Sequence, residues 1–366
     1  MAVDLEVRPL GEDDAEPWNA FVRRNSQGTF YHETFWLSLL RQHMPDQDVC
    51  IYGCFDGERL VGGCAVRQRT NLALRRAGKP WASYYNGTIV DDEAKEREGE
   101  IVEAIRNGLA RRYHVAQLVH APGFACVSPY RKANCQFVER RTLVFPTGTE
   151  RAMWQRVMPD VRNASKRATR AGVQVEESEN ATILSRLYWL SYEEQGIRIP
   201  FRPDQFEAVC AGIVKAGRGR IWLALDQAKA PCAAVLVGWD DKRAYGLFAG
   251  TDRERGRNGA GPLLWWEIFR ALAPRFPEVD MVGEGSPSIR RFKMQFRPQV
   301  VPVCEVLGFR SPWWRWGWGA LERLRRARAA WRDGRSRNGN IARSDGSEAA
   351  SAAGFRAGRG PCAPAE

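Results

Sequence analysis

A basic, glycine-rich loop between a predicted strand and a predicted helix could bind an anion. Three arginines alternate along it and two glycines follow them: Arg253, Arg255, Arg257, Gly259 and Gly261. Free N–H groups at a helix start, glycines that admit a ligand to the backbone and guanidinium groups together make an anion site. A solvated turn that only starts the helix is the alternative interpretation.

A lysine in an apolar setting is the second feature with chemical potential. Lys293 lies between Phe292 and Met294 in the segment SIRRFKMQF, so its ammonium group would emerge from an apolar wall. A cation in such a place can stabilise negative charge that develops on an acyl carbonyl. The alternative is a surface lysine between two core-directed residues.

The elements that must position these residues follow an alternating α/β pattern. In the first half we predict strands over Leu5–Pro9, Val49–Phe55, Leu60–Arg67, Trp81–Val90, Val115–Val119 and Phe137–Phe145, and helices over 16–24, Thr34–Met44 and Glu93–Arg112. Two of these strands form a hairpin because Asp56-Gly57-Glu58, a good turn sequence, joins them.

The second half repeats that order. Predicted helices cover Ala152–Arg170, Ile183–Glu194, Phe206–Ala216 and Pro262–Ala273, and predicted strands cover Ile221–Leu225, Cys232–Gly238, Ala244–Gly250 and Val279–Val282. A period of about 170 residues favours duplication of one α/β unit. Chance recurrence of common elements is the alternative.

The net charge of +12 is concentrated near the C-terminus. Ten arginines lie from Arg310 to Arg343 against Glu322 and Asp333, which gives 10 − 2 = +8 in that stretch. Four tryptophans precede most of this charge: Trp313, Trp314, Trp316 and Trp318. They either pack on the first domain or anchor a helix in an anionic headgroup layer. Residues 333–366 are rich in Gly, Ser, Ala and Arg, and we predict disorder there.

Length and composition exclude several classes of protein. The 366 residues leave room for two domains, and 44% hydrophobic with 27% charged residues is ordinary for a folded protein. No apolar run is long enough to predict a membrane span, and the acidic start does not resemble a secretory signal. Nine scattered cysteines without metal-ligand spacing favour reduced thiols, a cytoplasmic location and no metal site.

Strand, glycine-rich turn and helix is also how acetyltransferases of the GNAT superfamily hold the pyrophosphate of coenzyme A, although this loop matches their signature only in part. Five segments in order resemble the FemAB family, acyltransferases with two GNAT-like domains, and the related acetyltransferase-like proteins of exopolysaccharide clusters. These segments are TFYHETFWLSLL, YYNGTIVDD, VRNASKRATRAGVQVEE, GAGPLLWWEIFRAL and RRFKMQF.

The resemblance implies a mixed α/β fold of two tandem GNAT-like domains. We place the first over residues 1–147 and the second over 148–309, followed by a Trp/Arg-rich helix over 310–332 and the tail over 333–366. It further implies acyl transfer to an amine, with aminoacyl-tRNA or acyl-CoA as the donor and no metal. The expected acceptor is a nucleotide- or lipid-linked cell-envelope or polysaccharide precursor, handled at the cytoplasmic side of the inner membrane, with possible contact of residues 310–343 with that surface.

By the same resemblance, Lys293 supports the transition state. The expected substrate-binding residues are Tyr84, Tyr85, Asn86, Arg198 and Phe292, together with the arginines and glycines of the basic loop. Candidates for the general base, chosen by location alone, are Glu284, Asp252 and Tyr245. Gln195 stands where the family commonly has an arginine, and a tRNA-binding coiled-coil arm, present in some members, has no room between Val161 and Phe309.

Three functions are therefore open. The first is acyl transfer to an envelope precursor in a cleft between the domains. The second is N-acetylation of a sugar amine or small metabolite with acetyl-CoA, which requires a gap between strands beside Gly259 and Gly261. The third is a non-catalytic protein that binds a polyanion or a membrane through the arginine-rich segment.

Overall fold

The chain forms one continuous mixed β-sheet with helices on both faces. The structure, a computed structural model, describes residues 5–71, 74–131, 134–194, 199–320 and 323. Within them, thirteen strands join in a single sheet. The predicted mixed α/β class is confirmed. Arg198, Gln195 and the tail over 333–366 lie outside the described residues.

The strands and their order show how the two halves meet. The strands are β1 Glu6–Pro9, β2 Asp48–Asp56, β3 Arg59–Asn71, β4 Leu74–Gly78, β5 Ile89–Val90, β6 Val115–Val119, β7 Cys135–Pro146, β8 Gln174–Ser178, β9 Gly219–Leu225, β10 Pro231–Trp239, β11 Ala244–Thr251, β12 Glu278–Asp280 and β13 Gln299–Phe309. They are ordered β1-β2-β3-β4-β6-β13-β7-β12-β11-β10-β9-β8, and β5 pairs with β3.

This order has the same pattern from both ends. Each unit contributes four antiparallel strands and then a parallel pair, β4 with β6 in one unit and β11 with β12 in the other. The last strand of each unit crosses into the sheet of the other: β13 pairs with β6 and β7, and β7 pairs with β12. The exchange joins the units through backbone hydrogen bonds. The boundaries at 147/148 and 309/310 stay predictions.

The helices cover the two faces of the sheet. They are α1 Ala15–Arg24, α2 Thr34–His43, α3 Glu98–Arg112, α4 Ser128–Arg131, α5 Glu150–Arg156, α6 Pro159–Arg170, α7 Ala181–Glu193, α8 Pro203–Lys215, α9 Ala260–Leu272, α10 Pro287–Met294 and a further helix over 312–320. An aromatic core on one face packs α2 of the first unit against α7 and α8 of the second. In the described part of the chain, no helix is long and apolar enough to cross a bilayer.

Proline and local hydrogen bonds explain where our predicted elements were wrong. The predicted helix Ala152–Arg170 is two helices, because the extended residue before Pro159 ends α5 and the proline begins α6. The predicted strand Trp81–Val90 is a strand only at Ile89–Val90. In the irregular part before it, Asn86 bonds to the carbonyls of two strands, which replaces ladder pairing.

Candidate active site

The ammonium group of Lys293 is held at the end of β12 by three backbone carbonyls. The short helix α10 starts at Pro287, with Ser286 as its cap, and directs the lysine back toward the loop that follows β12. Its Nζ donates to the carbonyls of Met281 at 2.5 Å, Val282 at 2.9 Å and Gly283 at 3.0 Å. Burial lowers the pKa of Lys293 to about 8. The negative charge of nearby Asp280 acts in the opposite direction and raises this pKa, but its effect is smaller.

The turn that presents these carbonyls has an unusual backbone. Val282 and Gly283 both adopt a positive φ, at 56° and 63°. This conformation is unfavourable for a β-branched residue such as valine and persists only where surrounding contacts hold it. Here the Val282 N–H donates to Asp280 at 2.8 Å and the Gly283 N–H donates to Thr142 at 3.0 Å. These two hydrogen bonds therefore fix the backbone of the carbonyl cage, the three carbonyl groups of residues 281–283 that surround the Lys293 ammonium.

Asp280 connects the two halves of the molecule beneath this turn. Its buried carboxylate accepts hydrogen bonds from the hydroxyls of Tyr85 at 2.6 Å and Thr142 at 2.5 Å, both in the first half of the chain. Burial raises the pKa of the Asp280 carboxyl, while these hydrogen bonds favour its charged form. Sequence analysis missed Asp280, because one acidic residue after a short apolar strand gives no distinguishing signal.

Tyr84 closes the other side of the same turn. Its hydroxyl donates to the Arg141 carbonyl at 3.0 Å. A Cβ placed on Gly283 would lie 2.5 Å from that phenol oxygen, so a side chain is excluded at this glycine. The ammonium of Lys79 lies 5.6 Å from the centre of the Tyr84 ring, and burial lowers the pKa of this second lysine to about 8. Tyr84, Tyr85 and Lys293 thus lie around the same turn, and their expected roles in substrate binding and catalysis stay predictions.

The three candidates for the general base lie in different environments. Glu284 follows the turn directly, forms an ion pair with Arg290 at 2.6 Å and keeps 27% of its side chain exposed. Tyr245 is fully buried and donates to Asp240 at 2.6 Å, and burial raises its pKa. Asp252 accepts the N–H groups of residues 254 and 255, each at 3.0 Å, just before a short 3-10 helix. The identity of the base stays a prediction.

Two of the three arginines of the basic loop form ion pairs with acidic residues. Arg253 lies 3.0 Å from Glu194, and Arg255 lies 3.2 Å from Asp226. Arg257 is exposed. These ion pairs offset much of the positive charge that the sequence places at the start of α9.

The two glycines of this loop serve different purposes. Gly259 has a φ of 99°, and a Cβ there would lie 2.4 Å from the Ala164 carbonyl oxygen, so this glycine permits close packing of α6. Gly261 faces the Phe292 ring, which lies 3.8 Å from a Cβ built on the glycine. Phe292, which precedes Lys293 in α10, therefore packs α10 against the N-terminus of α9.

Asn86 holds two diverging strands of the first unit together. Its side-chain amide donates to the carbonyls of Ala65 at 3.0 Å and Gln117 at 3.1 Å, and its carbonyl accepts the Val119 N–H at 2.9 Å. The side chain is completely buried. Asn86 thus fixes the segment that carries Tyr84 and Tyr85, with its own hydrogen bonds satisfied inside the protein.

Comparisons with known proteins agree with this architecture. Residues 155–294 match the model of the Acetyltransferase (GNAT) domain family. A crystal structure of FemX matches with a TM-score of 0.63 and 10% identity, covering 82% of this chain and 96% of that one. No curated protein sequence matches the chain.

Two further solved structures have the same arrangement. A tandem GNAT protein from the clavulanic acid biosynthesis pathway has a TM-score of 0.52 and 13% identity, over 84% of this chain and 99% of that one. L-PGS from Bacillus licheniformis has a TM-score of 0.52 and 10% identity, over 81% and 92%. The chain thus has the tandem GNAT fold of FemAB-like proteins, which confirms the predicted resemblance. The fold and the GNAT domain support acyl transfer as its class of reaction.

Proposed function

We propose that this protein transfers an acyl group to an amine of a cell-envelope or polysaccharide precursor. The observation that carries the proposal is the ammonium of Lys293, fixed by three carbonyls beside Tyr84 and at the end of the strand pair β11–β12. The names of two similar structures, FemX and L-PGS, support a precursor or lipid of the cell envelope as acceptor. Aminoacyl-tRNA and acyl-CoA are both retained as donors.

The chemistry assigns a distinct task to each group. The acceptor amine attacks the acyl carbonyl carbon, the bond to the donor's sulfur or oxygen breaks, and the amine loses a proton. Negative charge develops on the carbonyl oxygen, and the positive charge of Lys293 stabilises it through space, because the three N–H groups of the ammonium already donate to the carbonyl cage. Asp280 and Tyr85 position the turn. We assign the role of accepting the amine proton to Glu284. It adjoins the turn, and its side chain is 27% exposed, compared with 21% for Asp252.

Acetylation of a small amine with acetyl-CoA is the second candidate. The match to a GNAT domain and the likeness to a tandem GNAT protein favour it. Acetyl-CoA would then stabilise the protein against heat at saturating concentration, whereas aminoacyl-tRNA dependence predicts no shift. A non-catalytic protein that binds a polyanion or a membrane is the third, supported by the C-terminal arginines alone.

A donor panel tests the proposal. Wild-type protein is incubated with acetyl-CoA or aminoacyl-tRNA and with amine-bearing nucleotide-linked or lipid-linked sugars, and mass spectrometry detects the acylated product. Product from the wild type that is lost in Lys293→Ala supports the proposal. Transfer at the same rate by both proteins, or no transfer from any donor, contradicts it.

A further inference from the structure

The helix over 312–320 has one face fixed to the sheet. The Trp314 ring lies 4.3 Å from the His114 ring, centre to centre. Trp318 lies beneath the guanidinium of Arg76, also at 4.3 Å, and both tryptophans join an apolar cluster with the end of β13. These contacts decide which way the helix is rotated.

Two other tryptophans of the helix are largely exposed to solvent, and one of them, Trp316, also lines a groove between the helix and the sheet. Trp313 is 84% exposed and Trp316 is 73% exposed, more than any other large apolar residue that the structure describes. Gly317 and Ala320 are exposed beside them. At about 100° per residue, these four positions fall within an arc of about 100°. The helix therefore carries an outward apolar strip that the rest of the described chain does not cover.

A positively charged groove of about 1030 Å³ runs between this helix and the sheet. Four arginines line it against one acid: Arg76, Arg140, Arg315, Arg323 and Glu305. The lining charge is 4 − 1 = +3. Glu305 is buried and bonds to Arg140 and to Gln117, so this acid is already neutralised by the protein. Planar guanidinium groups suit the oxygen atoms of a phosphate.

Strand β7 links the groove with the candidate active site. Arg140 lines the groove, and the carbonyl of the next residue, Arg141, accepts a hydrogen bond from the Tyr84 hydroxyl. The Tyr84 phenol in turn lies against Gly283, whose carbonyl accepts from Lys293. The groove and the carbonyl cage of Lys293 are thus connected through β7 and Tyr84.

We propose that the outward face of this helix docks on an anionic membrane. Trp313 and Trp316 lie at headgroup level, where tryptophan is favoured, and the arginines of the groove bind a lipid phosphate. Charge complementarity supports this occupant, since the sequence from Arg310 to Arg343 carries +8. This inference rests on the proposed acyl transfer and makes it more specific. The acceptor becomes a lipid-linked amine that reaches Lys293 from the membrane side.

Vesicle flotation with the full-length protein tests the docking without any acyl donor. We expect flotation with vesicles of phosphatidylglycerol and phosphatidylcholine, none with phosphatidylcholine alone, and loss of binding at high salt. The variant Trp313→Ser/Trp316→Ser should weaken binding at least about tenfold, and Arg315→Glu should do the same. These side chains are exposed, so the variants should fold like the wild type.

Matched variants elsewhere on the surface serve as controls. Phe137→Ser/Val300→Ser removes two other exposed apolar side chains, and Arg111→Glu reverses an exposed charge on α3. Both should float like the wild type. Equal flotation of the tryptophan variant and its control would overturn the proposal.

Two other occupants would also overturn the docking. One is a second copy of the chain, shown by a dimer that the tryptophan variant dissociates while vesicles fail to bind. The other is a soluble nucleotide, shown by uridine diphosphate that quenches the tryptophan fluorescence of the wild type but not of Trp316→Ser, without vesicle binding. Flotation does not depend on catalysis, so the two proposals can fail separately. Vesicle binding without acyl transfer would refute the proposed function alone. Acyl transfer to a soluble acceptor without vesicle binding would refute the docking alone.

Discussion

The Tyr85 hydroxyl donates a 2.6 Å hydrogen bond to the Asp280 carboxylate, across 195 positions of the chain. Tyr85 belongs to the first unit, and Asp280 is the last residue of β12 in the second unit. The bond orients a buried acid that also accepts the N–H group of Val282 at 2.8 Å, inside the turn around Lys293. A contact between the units thus shapes the candidate site.

Removal of this hydroxyl should destabilise the protein. Tyr85→Phe leaves Asp280 with one donor fewer in a buried place, and we expect a loss of about 1–3 kcal/mol in the free energy of unfolding. Urea denaturation measures it. In the double variant Tyr85→Phe/Asp280→Ala the two losses should not add, because each single change already removes the same bond. Additive losses would show that the hydroxyl acts elsewhere.

Gly283 tests how tightly Tyr84 closes the turn. Gly283→Ala puts a Cβ 2.5 Å from the Tyr84 oxygen at a φ of 63°, so we expect a loss of about 1–3 kcal/mol and a weaker carbonyl cage. The control is Gly148→Ala, because a Cβ there meets nothing within 4 Å. Equal melting temperatures for the two variants would contradict the close contact.

The lowered pKa of Lys293 predicts a dependence of stability on pH. The folded-state pKa is about 8 against an unfolded value of 10.5, so the unfolded chain binds more protons between these values. The contribution of this group therefore becomes more favourable as pH rises from about 8 to about 10.5. Relative to Lys293→Met, the wild type should gain stability across that window in urea titrations. A constant difference would show that the lysine is not desolvated.

Glu284 should affect the rate of transfer and not the fold. We expect Glu284→Gln to slow single-turnover acyl transfer about a hundredfold, because the amine then lacks its proton acceptor. Glu267→Gln is the matched control: Glu267 also pairs with an arginine, at 2.5 Å, and is 24% exposed. If both variants react at the wild-type rate, Glu284 is not the base.

The sequence predicted local elements better than long-range pairing. Apolar runs in the second half predicted β9, β10 and β11, and the glycines before Pro262 predicted the start of α9 within two residues. The sequence did not predict that β13 would lie between β6 and β7, because that placement depends on pairing across about 170 residues. Tyr84 and Tyr85 came from the family resemblance, and Lys293 was singled out first by its apolar neighbours and then by the resemblance. Asp280, by contrast, was recognised only in the folded arrangement.

The pH dependence of the transfer rate tests the role of Lys293 most directly. Wild type and Lys293→Arg are compared with the same donor and acceptor, so titration of the acceptor amine cancels in the ratio of their rates. Lys242→Met is the control for loss of a buried lysine, since Lys242 also donates to two backbone carbonyls, at 2.6 and 3.2 Å. We predict that the ratio of wild type to Lys293→Arg falls as pH rises through about 8, while Lys242→Met keeps the wild-type profile. A ratio that stays constant from pH 6 to pH 9.5 would contradict the assignment of the Lys293 ammonium to the transition state.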